Sequence, residues 1–583
     1  MLHTLSRSLR ENKGPALVTV LLSALEVVFE IVIPLFMSNL IDFGIEGGSM
    51  AAVWKFGAFL LLLAAFQLAT GVLAARIAAR ASVGFAANLR EDMFDNVQTF
   101  AFSNIDKFST ASIVTRLTTD TTNVQNAFQM LMRMAIRAPV MLIFSMIVSF
   151  RISRDISMTF LIILPILALA LFFIIRSVFP VFSRVFRTYD ELNNVVQENV
   201  RGIRVVKSFN QERHEIGKFG AISERIYKDF SKGERLITLN APLMQFCIYT
   251  CMIVISWLGA KAIIASGNDP ALGLTTGNLT ALITYTMQIL SSLMMLSMVF
   301  AMLTISLSSA RRIAEVLEER SDIPQPEQPV MTVRDGAVDF DHVSFVYASK
   351  ADKKVLDDID LHIRSGETIG IIGGTGASKS SLVQLIPRLY DVTGGKLTLG
   401  GVDVRDYDLD TLRGAVAMVL QKNELFSGTI AENLRWGNEN ATDEQLRHAC
   451  ELACADGFIS AMPDGYDTHI EQGGTNVSGG QKQRLCIARA LLKKPKVLIL
   501  DDSTSAVDTR TDAQIQQALS TYIPDTTKII IAQRISSVQN ADRIVVLDDG
   551  HIDAVGSHDE LLCTCEIYRE VYESQQKGGE DDA

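Results

Sequence analysis

Long apolar stretches alternate with polar ones through the first half of the chain. A helix needs about 20 mostly apolar residues to cross a bilayer. Six stretches meet or nearly meet this length: roughly 16–41, 52–75, 134–150, 156–179, 243–265 and 275–306. Three cations precede the first stretch, and the connections after the second and fourth stretches are long and rich in Lys and Arg, as cytoplasmic connections are. The pattern predicts six transmembrane helices within a domain spanning 1–317, with a cytoplasmic N-terminus.

The two long cytoplasmic connections, 76–133 and 180–242, have the pattern of helices that extend well past the membrane. Each contains a polar break, at about 106–120 in the first and about 208–219 in the second. Short polar segments between helix extensions are natural contact points for a second domain. Ordinary loops are the alternative.

The pattern changes after residue 317. Residues 318–335 are charged and rich in proline, without helical periodicity, and are predicted to be a linker. From 336 to 571 strand patterns alternate with helix patterns, which is typical of an α/β domain. The last residues, 572–583, are acidic and are expected to form a disordered tail.

The charge is divided unevenly between the two halves. Residues 1–315 contain 28 Lys and Arg against 21 Asp and Glu, whereas the remainder contains 26 against 44. Together with the positive mean hydropathy, this asymmetry indicates a membrane half joined to an acidic soluble half, and it does not favour nucleic-acid binding. The seven cysteines show no metal-ligand spacing and suggest no disulfides.

The segment "GETIGIIGGTGASKSSLVQLI" (366–386) is predicted to be a strand, a glycine-rich turn and a helix. It matches the phosphate-binding loop G-x-x-x-x-G-K-[ST] except at Ser378, where the template has glycine. Backbone N–H groups of such a turn bind phosphate, Lys379 is placed to reach the β- and γ-phosphates, and Ser380 to ligate Mg²⁺. Taken alone, a near match to this motif also occurs by chance in proteins that bind no nucleotide.

Three further segments follow in order. Gln421 comes after a predicted strand, "VSGGQ" (477–481) begins an amphipathic helix, and the apolar strand "VLIL" runs into Asp501 and Asp502. An acid at the end of a buried strand suits Mg²⁺, and Asp501 is the predicted ligand. The ordered set makes a chance phosphate-loop match improbable.

The chain resembles an ABC exporter half-transporter: an α-helical membrane domain with six transmembrane helices and long cytoplasmic extensions, fused to an α/β P-loop nucleotide-binding domain. The resemblance implies two paired chains that sandwich two ATP molecules, with Mg²⁺. It also implies that Tyr347 stacks on adenine, that Gln421 senses Mg²⁺ and water, and that the two breaks are coupling helices. A surface-packing Tyr347 and an exposed loop Gln421 are the alternatives. The implied ATP contacts are Gly373, Gly374, Thr375, Gly376, Ala377, Ser378, Lys379, Ser380, Ser381 and, from the other chain, Ser478, Gly479, Gly480 and Gln481, with Ser380, Gln421 and Asp501 around the metal.

Besides Ser378, two positions at the catalytic edge depart from the family pattern. The residue after the magnesium aspartate is normally Glu, which orients or deprotonates the attacking water, but here it is the shorter Asp502. A misplacement of about 1 Å can cost around a hundredfold in rate. The family's His after the next strand is Gln533, which cannot carry a positive charge. With Ser378, these changes predict a site that binds ATP but hydrolyses it poorly, whereas the signature 477–481 is intact. Such a chain resembles the degenerate-site subunit of a heterodimeric exporter.

The cargo is only partly constrained by the sequence. Glu26 and Glu30 lie one helical turn apart inside the first span, where acids are costly and are functional candidates. They are candidates for attracting cationic compounds; the alternatives are that they hold helix contacts or lie where the span meets water. Met294 and Met298 in the last span suit a promiscuous surface or plain packing. A lipophilic small molecule or peptide is the predicted substrate of a multi-pass cell-membrane protein. A slow homodimer, an ATP-binding regulatory subunit and an importer are the alternatives.

Overall fold

The computed structural model describes residues 1–268, 273–347, 354–374, 376–502 and 507–580. The chain divides into two compact units. One comprises Met1–Gln98 and Thr110–Glu319, and the other comprises Thr99–Ser109 and Arg320–Ala583. The main boundary lies within a few residues of the predicted end of the membrane domain at 317. The second unit also takes the short segment 99–109, which the sequence analysis assigned to the membrane domain.

The first half of the chain is helical. Its α-helices are α1 (Leu2–Arg7), α2 (Lys13–Asn39), α3 (Met50–Gln98), α4 (Phe102–Phe108), α5 (Thr110–Thr115), α6 (Thr121–Ile152), α7 (Arg154–Arg201), α8 (Ile203–Ser208), α9 (Glu212–Thr238), α10 (Asn240–Ser266) and α11 (Thr276–Glu318). The 49 residues of α3 span about 70 Å, far more than the roughly 30 Å of a bilayer core, so this helix extends well beyond the membrane.

Six helical stretches in the described part of the chain are long and apolar enough to cross a membrane, which confirms the predicted number. They are Arg10–Glu46, Met50–Gln98, Thr110–Ile152, Arg154–Arg201, Glu212–Ser266 and Thr276–Phe300. Small residues let these helices approach closely: Ala74, Ala78 and Ala81 form a fully buried stripe along α3. Where α2 meets α11, the buried Tyr285 hydroxyl donates to the carbonyl of Ile31 at 2.6 Å.

Both predicted cytoplasmic breaks are shorter in the structure. Around 106–120 the chain is mostly helical, with a sharp reversal at Ser109 (φ 46°) and a π-helical turn at Arg116–Asp120. The segment that joins the second unit is 99–109, which overlaps the predicted 106–120 only at its start. In the second connection only Phe209–Gln211 separate α8 from α9, so most of 208–219 is helix. Polar composition alone did not mark these residues as helical, because amphipathic surface helices are also polar.

The second unit contains twelve strands in its described part. They are β1 (Val338–Phe345), β2 (Leu356–Ile363), β3 (Thr368–Gly373), β4 (Gly394–Leu399), β5 (Val402–Asp403), β6 (Val416–Val419), β7 (Gly428–Thr429), β8 (His469–Ile470), β9 (Val497–Asp501), β10 (Thr527–Ile531), β11 (Arg543–Asp548) and β12 (His551–Gly556). One sheet has four strands in the order β2-β1-β4-β5, another has six in the order β12-β11-β3-β10-β9-β6, and β7 pairs with β8. In the six-stranded sheet every pair is parallel except β11 with β12.

One face of the six-stranded sheet packs against helices, and the other packs largely against the four-stranded sheet. Besides α4, this unit has nine α-helices in its described part. They are α12 (Lys379–Gln384), α13 (Leu409–Ala415), α14 (Ile430–Arg435), α15 (Asp443–Leu452), α16 (Asp456–Ser460), α17 (Gly479–Leu492), α18 (Thr509–Tyr522), α19 (His558–Thr564) and α20 (Glu566–Glu580). In β9, Leu498 and Leu500 enter one buried cluster, whereas Val497 and Ile499 enter the other. Strands buried on both faces have continuous apolar sequences, which explains the "VLIL" run.

The C-terminal end differs from its expectation. The residues from 572 onward were expected to be disordered, but α20 continues to Glu580 and the last three residues lie outside the described ones. Tyr568 is fully buried in the core, and Val571 and Tyr572 pack against it at the i, i+3 and i+4 positions of one helical face. This apolar stripe anchors the helix despite its acidic composition.

Candidate nucleotide site

The carboxyl ends of three parallel strands bring the predicted nucleotide residues together. Ile531 of β10 is in register with Ile371 of β3 and with Asp501 of β9, so the segments that follow these strands meet at one sheet edge. A cleft of about 620 Å³ opens there. Its lining contains most of the predicted residues: Gly373, Gly374, Gly376, Ala377, Ser378, Lys379, Ser380, Ser381, Gln421, Asp501, Asp502 and Gln533. Thr375 lies outside the described residues.

The glycine-rich turn wraps around the lysine of the motif. Lys379 Nζ donates to the carbonyls of Gly373 and Gly374, each at 2.8 Å. Burial lowers the pKa of Lys379, while the charges of Asp501 and Asp502 oppose that shift. An ammonium group enclosed in a turn at the start of a helix suits a polyphosphate, which would replace the carbonyl oxygens as its partner.

Ser378 occupies a backbone position that favours glycine. Its φ is 66° and its ψ is 20°, in the left-handed region, and it precedes α12 without a capping hydrogen bond from its side chain. For a residue with a Cβ this conformation costs about 1–2 kcal/mol. The departure from the template at position 378 therefore carries backbone strain.

Asp501 lies at the base of the cleft. It is 3% exposed, and burial raises the pKa of its carboxyl, an effect that a hydrogen bond with Ser380 opposes. A carboxylate and a hydroxyl side by side supply the hard oxygen donors that Mg²⁺ prefers. These two residues fit a magnesium ion held together with nucleotide phosphates, as the sequence predicts.

Asp502 is held by two amides. Gln533 Nε2 donates to Asp502 Oδ2 at 2.8 Å, and Gln421 Nε2 donates to the same oxygen at 3.3 Å. The backbone of Asp502 is also left-handed (φ 49°), and its N–H donates to the carbonyl of Ile531 at 2.9 Å. The three positions that the sequence assigned to catalysis are thus one hydrogen-bonded cluster at the edge of the cleft.

The predicted adenine residue belongs to an aromatic cluster. The Tyr347 hydroxyl lies 2.8 Å from Ser381 Oγ, and its ring packs edge-on against Tyr390 with centroids 5.1 Å apart. The side chain is 40% exposed, which leaves part of the ring open to a base. Tyr390 in turn donates to Asp106 Oδ2 at 3.0 Å. Within this unit the cluster therefore connects Tyr347 to α4.

The predicted signature begins α17. Ser478 Oγ accepts from the backbone N–H of Gln481 at 3.3 Å, and Gln481 Oε1 accepts from the backbone N–H of Ser478 at 2.9 Å. This reciprocal capping box fixes the first turn of a 14-residue helix. Gly479 and Gly480 form that first turn, where backbone N–H groups point out of the helix end.

The membrane candidates have partners that the sequence analysis did not name. Arg137 of α6 donates through Nη1 to Glu26 Oε1 at 2.6 Å and through Nη2 to Glu30 Oε2 at 2.7 Å. One arginine thus bridges both acids of α2, which favours the helix-contact alternative. Met294 and Met298 are 51% and 63% exposed on α11.

Two further residues were missed by the sequence analysis. Arg137 stands inside the third predicted span, and an arginine there was itself a signal for a buried partner. Gln575, in the expected tail, contacts the backbone beside Gln533 and left no signal in the sequence.

Comparisons with known proteins agree with this architecture. Residues 16–294 match the family model of the ABC transporter transmembrane region, and residues 356–505 match the ABC transporter model. The chain is 35% identical to the Bacillus subtilis (strain 168) uncharacterized ABC transporter ATP-binding protein YfiB, over 96% of both chains. It is 33% identical to Rv1273c of Mycobacterium tuberculosis (strain ATCC 25618 / H37Rv), which carries the same description, over 99% of this chain and 98% of the relative.

The fold has a solved counterpart. A bacterial Atm1-family ABC exporter with ATP bound superposes with a TM-score of 0.80 over 97% of this chain and 98% of that one, at 24% identity. Similarity along almost the full length, the six spans and the nucleotide motifs in one cleft lead to the same conclusion. The chain belongs to the ABC transporters, as a multi-pass membrane protein with a cytoplasmic nucleotide-binding domain.

Proposed function

We propose that this chain is one subunit of a heterodimeric exporter, with an impaired ATP site of its own and an intact signature for its partner's site. The observation that carries the proposal is the hydrogen bonding of Asp502 to Gln533 and Gln421. A general base must reach the proton that it removes. A short carboxylate whose Oδ2 accepts from two amides is poorly placed to do so.

The neighbouring residues support the same conclusion. Gln533 carries no charge, so it stabilises developing phosphate charge less than a protonated histidine does. Ser378 also departs from the phosphate-loop template, which has glycine at this position, and its left-handed backbone is strained. Lys379, Ser380 and Asp501 nevertheless remain together in the cleft, which supports nucleotide and Mg²⁺ binding.

The signature supports a partner with a competent site. Ser478 and Gln481 cap α17 without strain, and Gly479 and Gly480 leave its first turn open. An impaired catalytic edge and an intact signature in one chain fit a signature that completes another chain's ATP site.

The proposed cargo is a lipophilic or amphipathic compound, moved outward. The exposed thioethers of Met294 and Met298 suit such a surface. Glu26 and Glu30 share a single arginine, so the three side chains carry one net negative charge if all are ionised. The fused order of membrane and nucleotide-binding domains, like that of the structural counterpart, supports export.

A homodimer with slow turnover is the second candidate. The Asp502 carboxylate still lies in the cleft and is close enough to Lys379 to influence its pKa. Two equal sites with a weak base would hydrolyse ATP slowly without a second kind of chain.

Co-purification of this chain with a second ABC half-transporter subunit from the same organism tests the proposal. We expect ATP hydrolysis by the complex to disappear when the partner's catalytic glutamate is replaced and to change little with Asp502→Ala. Hydrolysis that survives loss of the partner's glutamate, and that Asp502→Ala removes, would contradict the proposal and favour the homodimer.

A further inference from the structure

The C-terminal helix α20 is hydrogen-bonded to the backbone of Gln533 and of Ile535. Gln575 Nε2 of α20 donates to the carbonyl of Gln533 at 2.7 Å. Its Oε1 accepts from the backbone N–H of Ile535 at 2.9 Å. A single side-chain amide therefore bonds both a donor and an acceptor of the segment that follows β10. Such a two-point contact fixes the position and the orientation of that backbone.

The helix that carries Gln575 is firmly seated. Tyr568 is fully buried, and its hydroxyl lies 2.8 Å from Nδ1 of His558. Val571 and Tyr572 pack against the same core. Residues 568, 571, 572 and 575 recur at helical spacing, so Gln575 projects from the anchored face of α20. The contact is thus made from a fixed support.

The backbone that Gln575 holds belongs to the residue that reaches into the nucleotide cleft. The Gln533 side chain lines the cleft and donates to Asp502 Oδ2 at 2.8 Å. Fixing the backbone of residue 533 limits the positions that its side chain can sample. A side chain held in place loses less conformational freedom when it closes on a ligand.

We propose that Gln575 is a positioning residue for Gln533, through which the C-terminal helix slows nucleotide release from this chain's own site. Gln575 is not among the residues that line the described cleft, and it acts through the backbone at 533 and 535. The inference rests on the proposed ATP binding at this site. It assigns a role to a segment that composition alone predicts to be disordered.

Nucleotide retention by the full-length complex tests the inference. The probe is azido-ATP with Mg²⁺, chased with unlabelled ATP and then photo-crosslinked, and the label on this chain is read after electrophoresis separates the two chains. Gln575→Ala removes two hydrogen bonds, and one such bond contributes on the order of 1 kcal/mol, so we expect retention to shorten at least about fivefold. Gln576→Ala is the matched control, because the hydrogen bond that Gln576 makes among the described residues stays within α20, to the Tyr572 hydroxyl at 2.7 Å. We expect that variant to retain nucleotide like the parent.

A double-mutant cycle separates positioning from general loosening of the helix. In a Gln533→Ala background, Gln575→Ala should have no further effect on retention, because no side chain remains to be positioned. An additive effect of the two substitutions would overturn the inference, as would unchanged retention in Gln575→Ala alone. Absence of label on this chain in the parent complex would instead overturn the proposed ATP site itself.

Discussion

The signature segment and the carboxyl edge of the six-stranded sheet both present polar groups for phosphate, but their residues suit their backbones differently. At the signature, Ser478 is an ordinary N-cap in extended geometry, with a reciprocal partner in Gln481. At the sheet edge, Ser378 and Asp502 both adopt left-handed conformations that favour glycine. The backbone is thus unstrained at the signature, which we propose completes another chain's ATP site, and strained at Ser378 and Asp502 in this chain's own site.

The largest expected effect would follow from blocking the signature. Ser478→Arg places a bulky cation at the start of α17 and removes its capping oxygen. In the complex with the partner, we expect ATP hydrolysis to fall about a hundredfold, comparable to the loss of a group that stabilises transition-state charge. Asp502→Ala, measured in parallel, should change the rate less than about twofold. Equal losses of ATP hydrolysis from both substitutions would contradict the proposed difference between the signature and the sheet edge.

Restoring the family's residues at the sheet edge should raise ATP hydrolysis at this chain's own site. With Asp502→Glu and Gln533→His together, the longer carboxylate regains reach and the histidine regains a charge. We expect ATP hydrolysis by the chain purified alone to rise at least about tenfold, since misplacement by about 1 Å costs around a hundredfold. Asp502→Glu by itself should recover less. Steady-state phosphate release measures both, and no gain in the double variant would show that another element limits the site.

A smaller effect is expected from removing the backbone strain at Ser378 in the phosphate-binding loop. The left-handed backbone of Ser378 costs about 1–2 kcal/mol, and Ser378→Gly removes this cost. The glycine also makes the unfolded chain more flexible, which offsets part of the gain in stability. The net gain in stability should be about 0.5–1 kcal/mol, read as a higher melting temperature without nucleotide. Ser520→Gly, on the exposed face of α18, is the matched control and should lower stability, because glycine is unfavourable within a helix. A destabilised Ser378→Gly variant would argue against strain at this position.

The smallest effect concerns the charge at the base of the cleft. Burial raises the pKa of Asp501, so its ionised form destabilises the fold at neutral pH. Asp501→Asn should raise the melting temperature of the nucleotide-free and Mg²⁺-free protein at pH 7. The gain should shrink as pH falls through the raised pKa of the buried carboxyl, because the parent then becomes neutral too.

An acid with the opposite shift supplies the control. The pKa of Asp508 is lowered, chiefly because it accepts the backbone N–H of Thr511 at the start of α18. Its ionised form therefore stabilises the fold, and Asp508→Ala should lower the melting temperature at pH 7. A lower melting temperature for Asp501→Asn as well would contradict the cost assigned to the buried charge.

Much of the fold followed from the sequence because its signals are strong and local. Apolar stretches of membrane length gave the six spans, and the doubly buried strand ending at Asp501 gave one edge of the cleft. The ordered motifs placed Lys379, Gln421 and Gln533 in one site, and the structure brings them together in one cleft.

Other features depend on contacts between distant residues, which no local pattern encodes. The pairing of Arg137 with Glu26 and Glu30 joins helices more than a hundred residues apart in sequence. The contact of Gln575 with residue 533 depends on where the anchored helix α20 ends. Composition also misled at the C-terminus, because a few buried aromatic and aliphatic residues outweigh an acidic surface.

The most direct test of the central claim is ATP hydrolysis by this chain purified alone, compared with its Asp502→Ala variant. An impaired site predicts very low hydrolysis in both proteins, with azido-ATP still labelling the parent chain. Substantial hydrolysis by the parent that disappears in Asp502→Ala would show that Asp502 is a working catalytic residue and would contradict the asymmetric account.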